Sequence, residues 1–354
     1  MNALSGKRPA SPLSPVLAAV MAAIALGGGA PVPVHAQTLN AADPSTPAPV
    51  IQAALDQRAD YRLQQWQRLS HRNDRDSLIA AVLIGIANDA DRPPIDGQAE
   101  VEQRLARSYG RDPLVQFTLA LACQVQKDPC SNPGHYDELV RIEPDNAVNW
   151  LLLPNNANPS EAQLHAAAAA AKADSHLRDM IRIVRAALAG QPAPSAEPGV
   201  DPRALALLLR RDAADQVPLP AFMGAIAVCK PDAVKHPADC IALGHRLIDD
   251  RSGAILTRMI GVVLLRRLEK GSPDDVAAKA MRRRYVWLGE QLEAARVPYQ
   301  ERLRDEVVAY GEWEAYQRAV ERLGSPRTPP ADWIPKNPQT LLMSEERTPA
   351  AAAH

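Results

Sequence analysis

The stretch Leu139-Val140-Arg141-Ile142-Glu143-Pro144-Asp145-Asn146-Ala147-Val148-Asn149-Trp150-Leu151-Leu152-Leu153 constrains the fold more than any other part of the chain. It reads as the end of one helix, a tight Pro-Asp-Asn turn and the start of another. Proline cannot continue a helix, and Asp or Asn supplies the acceptor that the next helix's first amides lack. Similar punctuation recurs. Asn73-Asp74-Arg75-Asp76-Ser77 precedes the apolar run from Leu78 to Gly85, Gly110-Arg111-Asp112-Pro113 precedes Leu114 to Leu121, and Asp249-Asp250-Arg251-Ser252-Gly253 precedes Ala254 to Gly261. The first helical positions Leu78, Leu114 and Ala147 are 36 and 33 residues apart, and Ala173-Asp174-Ser175 offers a weaker start near His176. Ile51, Leu55, Tyr61, Leu63, Trp66 and Leu69 fall mostly along one helical stripe. No run alternates Val, Ile, Thr and aromatic residues as a half-buried strand would. The expectation is an all-α chain of stacked antiparallel helical hairpins, a helical solenoid. With aromatics at 4% and Ala and Leu abundant, its helices would pack closely through small side chains.

The phrase from Leu139 to Leu153 resembles the junction between tetratricopeptide repeats. Pro144 sits where that family closes its second helix, and Ala147, Trp150 and Leu153 where it packs the next first helix. Ile84-Gly85 and Ile260-Gly261 resemble its small residue after an apolar one, which lets neighbouring helices approach. Pro154 stands where the family has Gly at the best junction, the spacing drifts, and the period fails between Ala173 and Ala254. The resemblance covers roughly residues 70–190, and 220–270 more weakly. It implies a divergent array whose hairpins bury their apolar faces on their neighbours, and a surface that binds a protein or peptide partner.

The ends of the chain read differently. Lys7 and Arg8, the apolar run Val16 to Leu26, the break at Gly27-Gly28-Gly29 and Pro31, and Val34-His35-Ala36 form a secretory signal peptide over residues 1–36, leaving Gln37 as the mature N-terminus. A periplasmic or secreted location follows, with no integral membrane segment after cleavage. Residues 37–48 read as a disordered leader, 49–190 as an N-terminal helical repeat region, 191–201 as a Pro-rich linker, and 202–324 as a C-terminal helical region. That last region closes with two long helices, about Pro273 to Ala295 and Pro298 to Leu323. Ser272 starts the first and Gly324 stops the second. Residues 325–354 read as a largely disordered tail from which Trp333 and Ile334 could dock.

Four cysteines fall as two close pairs, Cys123 with Cys130 and Cys229 with Cys240. In an exported chain an even count is expected to oxidise. Nearest-neighbour pairing, the simplest of three connectivities, would staple the turns of two hairpins. The competing reading is a metal or redox site, with His135 near Cys130 and His236 between Cys229 and Cys240. Neither the close cysteine spacing of zinc ribbons nor a Cys-x-x-Cys pair is present.

Charge excludes one class of partner. Losing Lys7 and Arg8 with residues 1–36 takes the formal charge from −1 to −3, which gives no electrostatic footprint for nucleic acid. Arg210-Arg211 and Arg282-Arg283-Arg284 read as solvated helix faces. No nucleophile elbow, P-loop, dinucleotide fingerprint or zinc helix occurs, so no cofactor, metal or catalytic residue is indicated. His245 and Asp249 share a helix face. Glu290, Glu293, Glu301, Asp305 and Glu306 alternate with Arg296, Arg302 and Arg304 as ion-paired surfaces. Trp287, Tyr299, Tyr310, Trp313 and Tyr316 read as packing between the last helices. Two functions stay open: a binding scaffold with a protein or peptide partner, or a helical enzyme acting on cell-envelope polymers. Clustered buried carboxylates in a groove would favour the enzyme; Asn, Arg and aromatic side chains would favour the scaffold.

Overall fold

A computed structural model of the chain describes residues 47–87, 95–125, 134–189, 191, 195–196, 198–295, 301–343 and 346. The signal peptide, most of the leader, Cys130, Arg296, Tyr299, part of the Pro-rich linker and residues 347–354 lie outside them. The described residues form α-helices joined by turns and short 3-10 segments, with no strand.

The helices are α1 Ala48–Ser70, α2 Arg75–Ile86, α3 Gln98–Tyr109, α4 Pro113–Val125, α5 Gly134–Ile142, α6 Glu161–Ala169, α7 Leu177–Ala189, α8 Pro202–Asp215, α9 Met223–Val228, α10 Pro237–Ile248, α11 Ile255–Leu268, α12 Pro273–Ala294, α13 Glu301–Tyr310 and α14 Glu312–Arg322. Their starts follow local chemistry. Asp74 accepts from the Ser77 amide, Asp112 from Leu114, and Asp201 from Arg203, each at 2.9 Å. Ser160 forms a reciprocal capping box with Gln163, and Ser272 accepts from Asp274 and Asp275 at the head of α12.

Consecutive helices pack as hairpins: α1 with α2, α4 with α5, α10 with α11, and α13 with α14. The chain also turns back on itself, since α7 lies on α2 and α8 on α1. That return explains why α2 is apolar on every side, with Leu78 to Ile84 all buried. One hydrophobic cluster therefore runs from Val50 to Leu264, across both helical regions, and two smaller ones join α11, α12 and the last two helices. Gly244 and Gly261 face each other where α10 crosses α11; a methyl group on Gly261 would press into the Gly244 carbonyl.

Several expectations need correction. Ala147 does not open an α-helix. Asn146 turns its side chain onto the Val148 and Asp174 amides, and the chain passes through 3-10 turns at Asn149–Leu151 and Pro154–Asn156 before α6. The long helix expected from Pro298 to Leu323 is two, α13 and α14, broken at Gly311 with φ +82°. Nor are the arginines of α12 a solvated face: Arg282 is 1% exposed. Together these arginines hold residues 325–343, which composition alone assigned to a disordered tail. Arg282 donates to the Thr340 and Leu342 carbonyls, Arg283 to those of Pro330, Ala331 and Trp333, and Arg284 to that of Arg327. Arg266 reaches the Leu341 carbonyl, and Trp287 donates to Pro326. The Trp333 ring meets Trp287 edge-on at 5.4 Å, while Ile334 is 75% exposed. Arg211, also expected in solvent, pairs with Glu301 at 2.6 Å.

Candidate functional site

Cys229 and Cys240 are bonded to each other across the loop between α9 and α10, with Cα atoms 5.7 Å apart. Cys123 is also disulfide-bonded; Cys130, its expected partner, is outside the described residues. A metal site at these cysteines is thereby removed, and no group of three His, Cys, Asp or Glu among the described residues is arranged to hold an ion. His135 instead meets Gln116 at 3.0 Å, and His236 meets Glu161 at 3.2 Å.

The residues singled out in the sequence take ordinary structural places. The Pro144 carbonyl accepts from the Trp150 indole at 2.9 Å, and the Ala147 amide donates to Lys172. Gly85 leaves room for the Gln98 amide beside Trp66. His245 pairs with Asp274 of α12 at 2.9 Å rather than with Asp249. Glu301 and Asp305 both take Arg185, and Glu306 takes Arg322 and Arg302. Arg304 pairs with Asp215 of α8 at 2.8 Å. Trp287, Trp313 and Tyr316 pack in the two C-terminal clusters, and Tyr310 lies against the Arg318 guanidinium.

Two polar clusters stand out instead. The first laces the non-helical segment Lys172–His176 to the turns on either side. Lys172 exchanges main-chain hydrogen bonds with Asp145 and Ala147, and the Arg251 amide donates to Ala173. At its centre the Glu143 carboxylate accepts from Lys172 at 2.7 Å, Asn149 at 2.9 Å, His176 at 3.2 Å and Asn146 at 3.3 Å. Burial alone would raise its pKa; the donors from His176, Lys172 and Asn149 outweigh that and hold it far below the usual carboxylate range. Burial opposes the charge on His176 too, but Glu143 raises its pKa. His176 has φ +51° and sets its ring edge-on to Phe117 at 4.7 Å. Four donors converge on the Glu143 carboxylate, three of them on one oxygen, so this is a fastening rather than a reactive group. Beyond it Asp250 accepts from the Ser175 and Ala254 amides and the Ser252 hydroxyl, and all three side chains are buried.

The second cluster lies where α11, α12 and α14 meet. Glu312, the first residue of α14, reaches across to accept from the Ile255 amide at 2.8 Å, capping α11. The backbone makes this reach possible at Gly253 and Gly311. The Trp313 amide donates to Gly253 at 3.0 Å, and a methyl group on Gly311 would press into the Ser252 carbonyl. One helical turn on, Tyr316 shares the face of Glu312, and Tyr285 of α12 packs with Tyr316, Trp313 and Ile255. Burial raises the Glu312 pKa to about 7; the Ile255 amide opposes this, and the charges of Asp250 and Asp215 add to it. Burial and the Glu312 charge raise both tyrosines. Protein atoms crowd Glu312 and Tyr316, yet solvent reaches part of each. Part-exposed Glu312 and Tyr316 border the more deeply buried Tyr285, a recess made of one acid and two phenols.

Sequence reasoning passed over Glu312 and Tyr285. The available signal was the Glu312-Trp313-x-x-Tyr316 spacing just after Gly311, which sets an acid and a phenol on one helix face. Among the described residues no helix is long and apolar enough to cross a membrane. No protein-family model, curated protein or solved structure matches the chain.

Proposed function

We propose that the chain is an exported scaffold of the bacterial periplasm, built as a divergent tetratricopeptide-like array, that binds a protein or peptide partner at the Glu312–Tyr285–Tyr316 recess. The observation that carries the binding reading is unclaimed hydrogen-bonding capacity. Neither the Tyr285 nor the Tyr316 hydroxyl has a hydrogen-bond partner among the described residues, and both lie beside a carboxyl that solvent reaches. Export is supported by the signal-like N-terminus and by the Cys229–Cys240 disulfide, a bond that persists in oxidising compartments. The test has two steps. Unreduced protein from the periplasm should have the mass of a chain starting at Gln37 and refuse thiol alkylation. A photo-crosslinking residue at Tyr310, exposed at the end of α13, should then trap an envelope partner that Glu312→Gln no longer holds. Full-length protein with reactive thiols overturns export, and capture indifferent to Glu312→Gln overturns the site.

One observation favours the enzyme reading. A carboxyl titrating at about 7 suits general acid–base work at neutral pH. That reading expects purified protein to release new reducing ends or amines from isolated cell-wall polymer, with the release lost in Glu312→Gln; the scaffold reading expects none.

A further inference from the structure

The chemistry of the recess is one-sided. Its carboxylates are Glu312 at the mouth, Asp250 behind the head of α11 and Asp215 at the end of α8, and each bears on the electrostatics of Glu312 or of its neighbours. The nearby guanidiniums hold other partners, although the Arg258 Nε is buried without one. Arg304 grips Asp215 through two nitrogens. Arg258 donates to the Asp250 carbonyl and, with Arg284, flanks the Trp313 ring at 5.8 and 5.6 Å. Negative charge is left uncompensated at Glu312.

The phenols supply an independent observation. Tyr285 is only 3% exposed, and its hydroxyl has no partner among the described residues. The ring is enclosed while the oxygen itself is not among the enclosed atoms left without a partner, so the little exposure Tyr285 keeps is at the hydroxyl, where a ligand can replace water. Tyr316, part-exposed, presents a second phenol with no hydrogen-bond partner among the described residues. A group that fits must carry positive charge for Glu312, present several N–H donors to carboxylate and phenol oxygens at once, and tolerate aromatic faces. A primary ammonium has one compact charge and three donors and is attracted to tyrosine rings. A metal ion fits less well, because Asp215 and Asp250 are held by partners of their own and no three His, Cys, Asp or Glu among the described residues are placed to hold one.

We propose that the recess binds a primary alkylammonium group presented by the peptide partner, a lysine side chain or a free α-amine, with Glu312 as its counter-ion and the Tyr285 and Tyr316 oxygens as further acceptors. This rests on the binding reading of the same recess and narrows it to one ligand chemistry.

The test uses the intact protein with 13C-labelled glutamate carboxyls, the Glu312 signal being the one lost in Glu312→Gln. The probe is n-butylammonium chloride. Sodium chloride at equal ionic strength and n-pentanol, of like shape but neutral, are the controls. Saturable movement of the Glu312 signal is expected, with its titration midpoint falling by about one pH unit, the size of effect an adjacent opposite charge exerts. Tyr285→Phe and Tyr316→Phe should each weaken butylammonium binding about threefold to tenfold, the worth of one hydrogen bond, without lowering the melting temperature. A response that does not saturate, or that sodium or pentanol reproduces, overturns the proposal. If butylammonium binds while Tyr310 cross-linking captures nothing, the ammonium site stands and the periplasmic partner falls. Capture that depends on Glu312 without butylammonium binding has the reverse meaning.

Discussion

Glu143 and Glu312 are both largely buried glutamates beside helix ends, yet their surroundings drive them in opposite directions. Glu143 meets an ammonium, an imidazole and two side-chain amides, and stays ionised to very low pH. Glu312 meets one backbone amide, two carboxylates and two phenols, and holds its proton to about 7. Burial is shared, so burial does not decide the outcome; the supply of donors does. Where the fold needs a fixed joint it saturates the acid. Where it leaves an acid short of donors, it leaves capacity for something that is not part of the chain.

The largest expected effect lies at the saturated site. Glu143→Gln leaves Lys172 and His176 without their counter-charge in a largely enclosed place, and a loss of about 3 kcal/mol in urea unfolding at pH 7 is expected. The pH dependence should follow. Stability from the depressed Glu143 is present above the ordinary glutamate range and is lost as pH falls through its folded value. Stability from the raised His176 is present below 6.5 and is lost as pH climbs through its own folded value. A variant as stable as the parent would erase the contrast between the two sites.

Asp250→Asn comes next and connects the two regions. The amide sets a donor against the Ser175 or Ala254 amide or the Ser252 hydroxyl, so about 2 kcal/mol should be lost. Removing its charge should also lower the Glu312 midpoint in a carboxyl NMR titration; an unmoved midpoint would show that Asp250 has no part in holding that proton.

The smallest effect has the opposite sign. The folded protein binds the Glu312 proton more tightly than the unfolded chain does, so stability should fall as pH rises from about 4.5 to about 7. Glu312→Gln keeps an acceptor for Ile255 and carries no charge. It should gain about 1–2 kcal/mol at pH 8 and flatten that slope in thermal melts. A destabilised Gln variant at pH 8 would make Glu312 another fastening.

How much of this was legible in the sequence follows from distance along the chain. Asp74, Asp112, Asp201 and Ser272 act on amides two or three residues away, so residue type and order were enough to read the helix starts. Cys229 and Cys240 are separated by a short loop, and proximity made their pairing the simplest one. Asn146 misled because its side chain serves Asp174, 28 residues on, and holds the chain in a turn where a helix start was expected. Gly311 lies inside the span read as one helix, Pro298 to Leu323, and the cause of the break there is a close approach to Ser252 and Gly253 from a distant part of the chain. Glu312 was silent for the same reason: its partner amide is 57 residues away, and the acids that hold its proton come from other parts of the fold.

The arginine grip on residues 325–343 has an evolutionary corollary. Arg282, Arg283 and Arg284 take hold of peptide oxygens, which every amino acid carries. Selection on that contact therefore falls on the holder, while most of what is held is free to drift. Among relatives of this chain the C-terminal segment should vary in letters and keep its place, anchored by Trp333 against Trp287, with the arginine triplet as the steady sign that it is there.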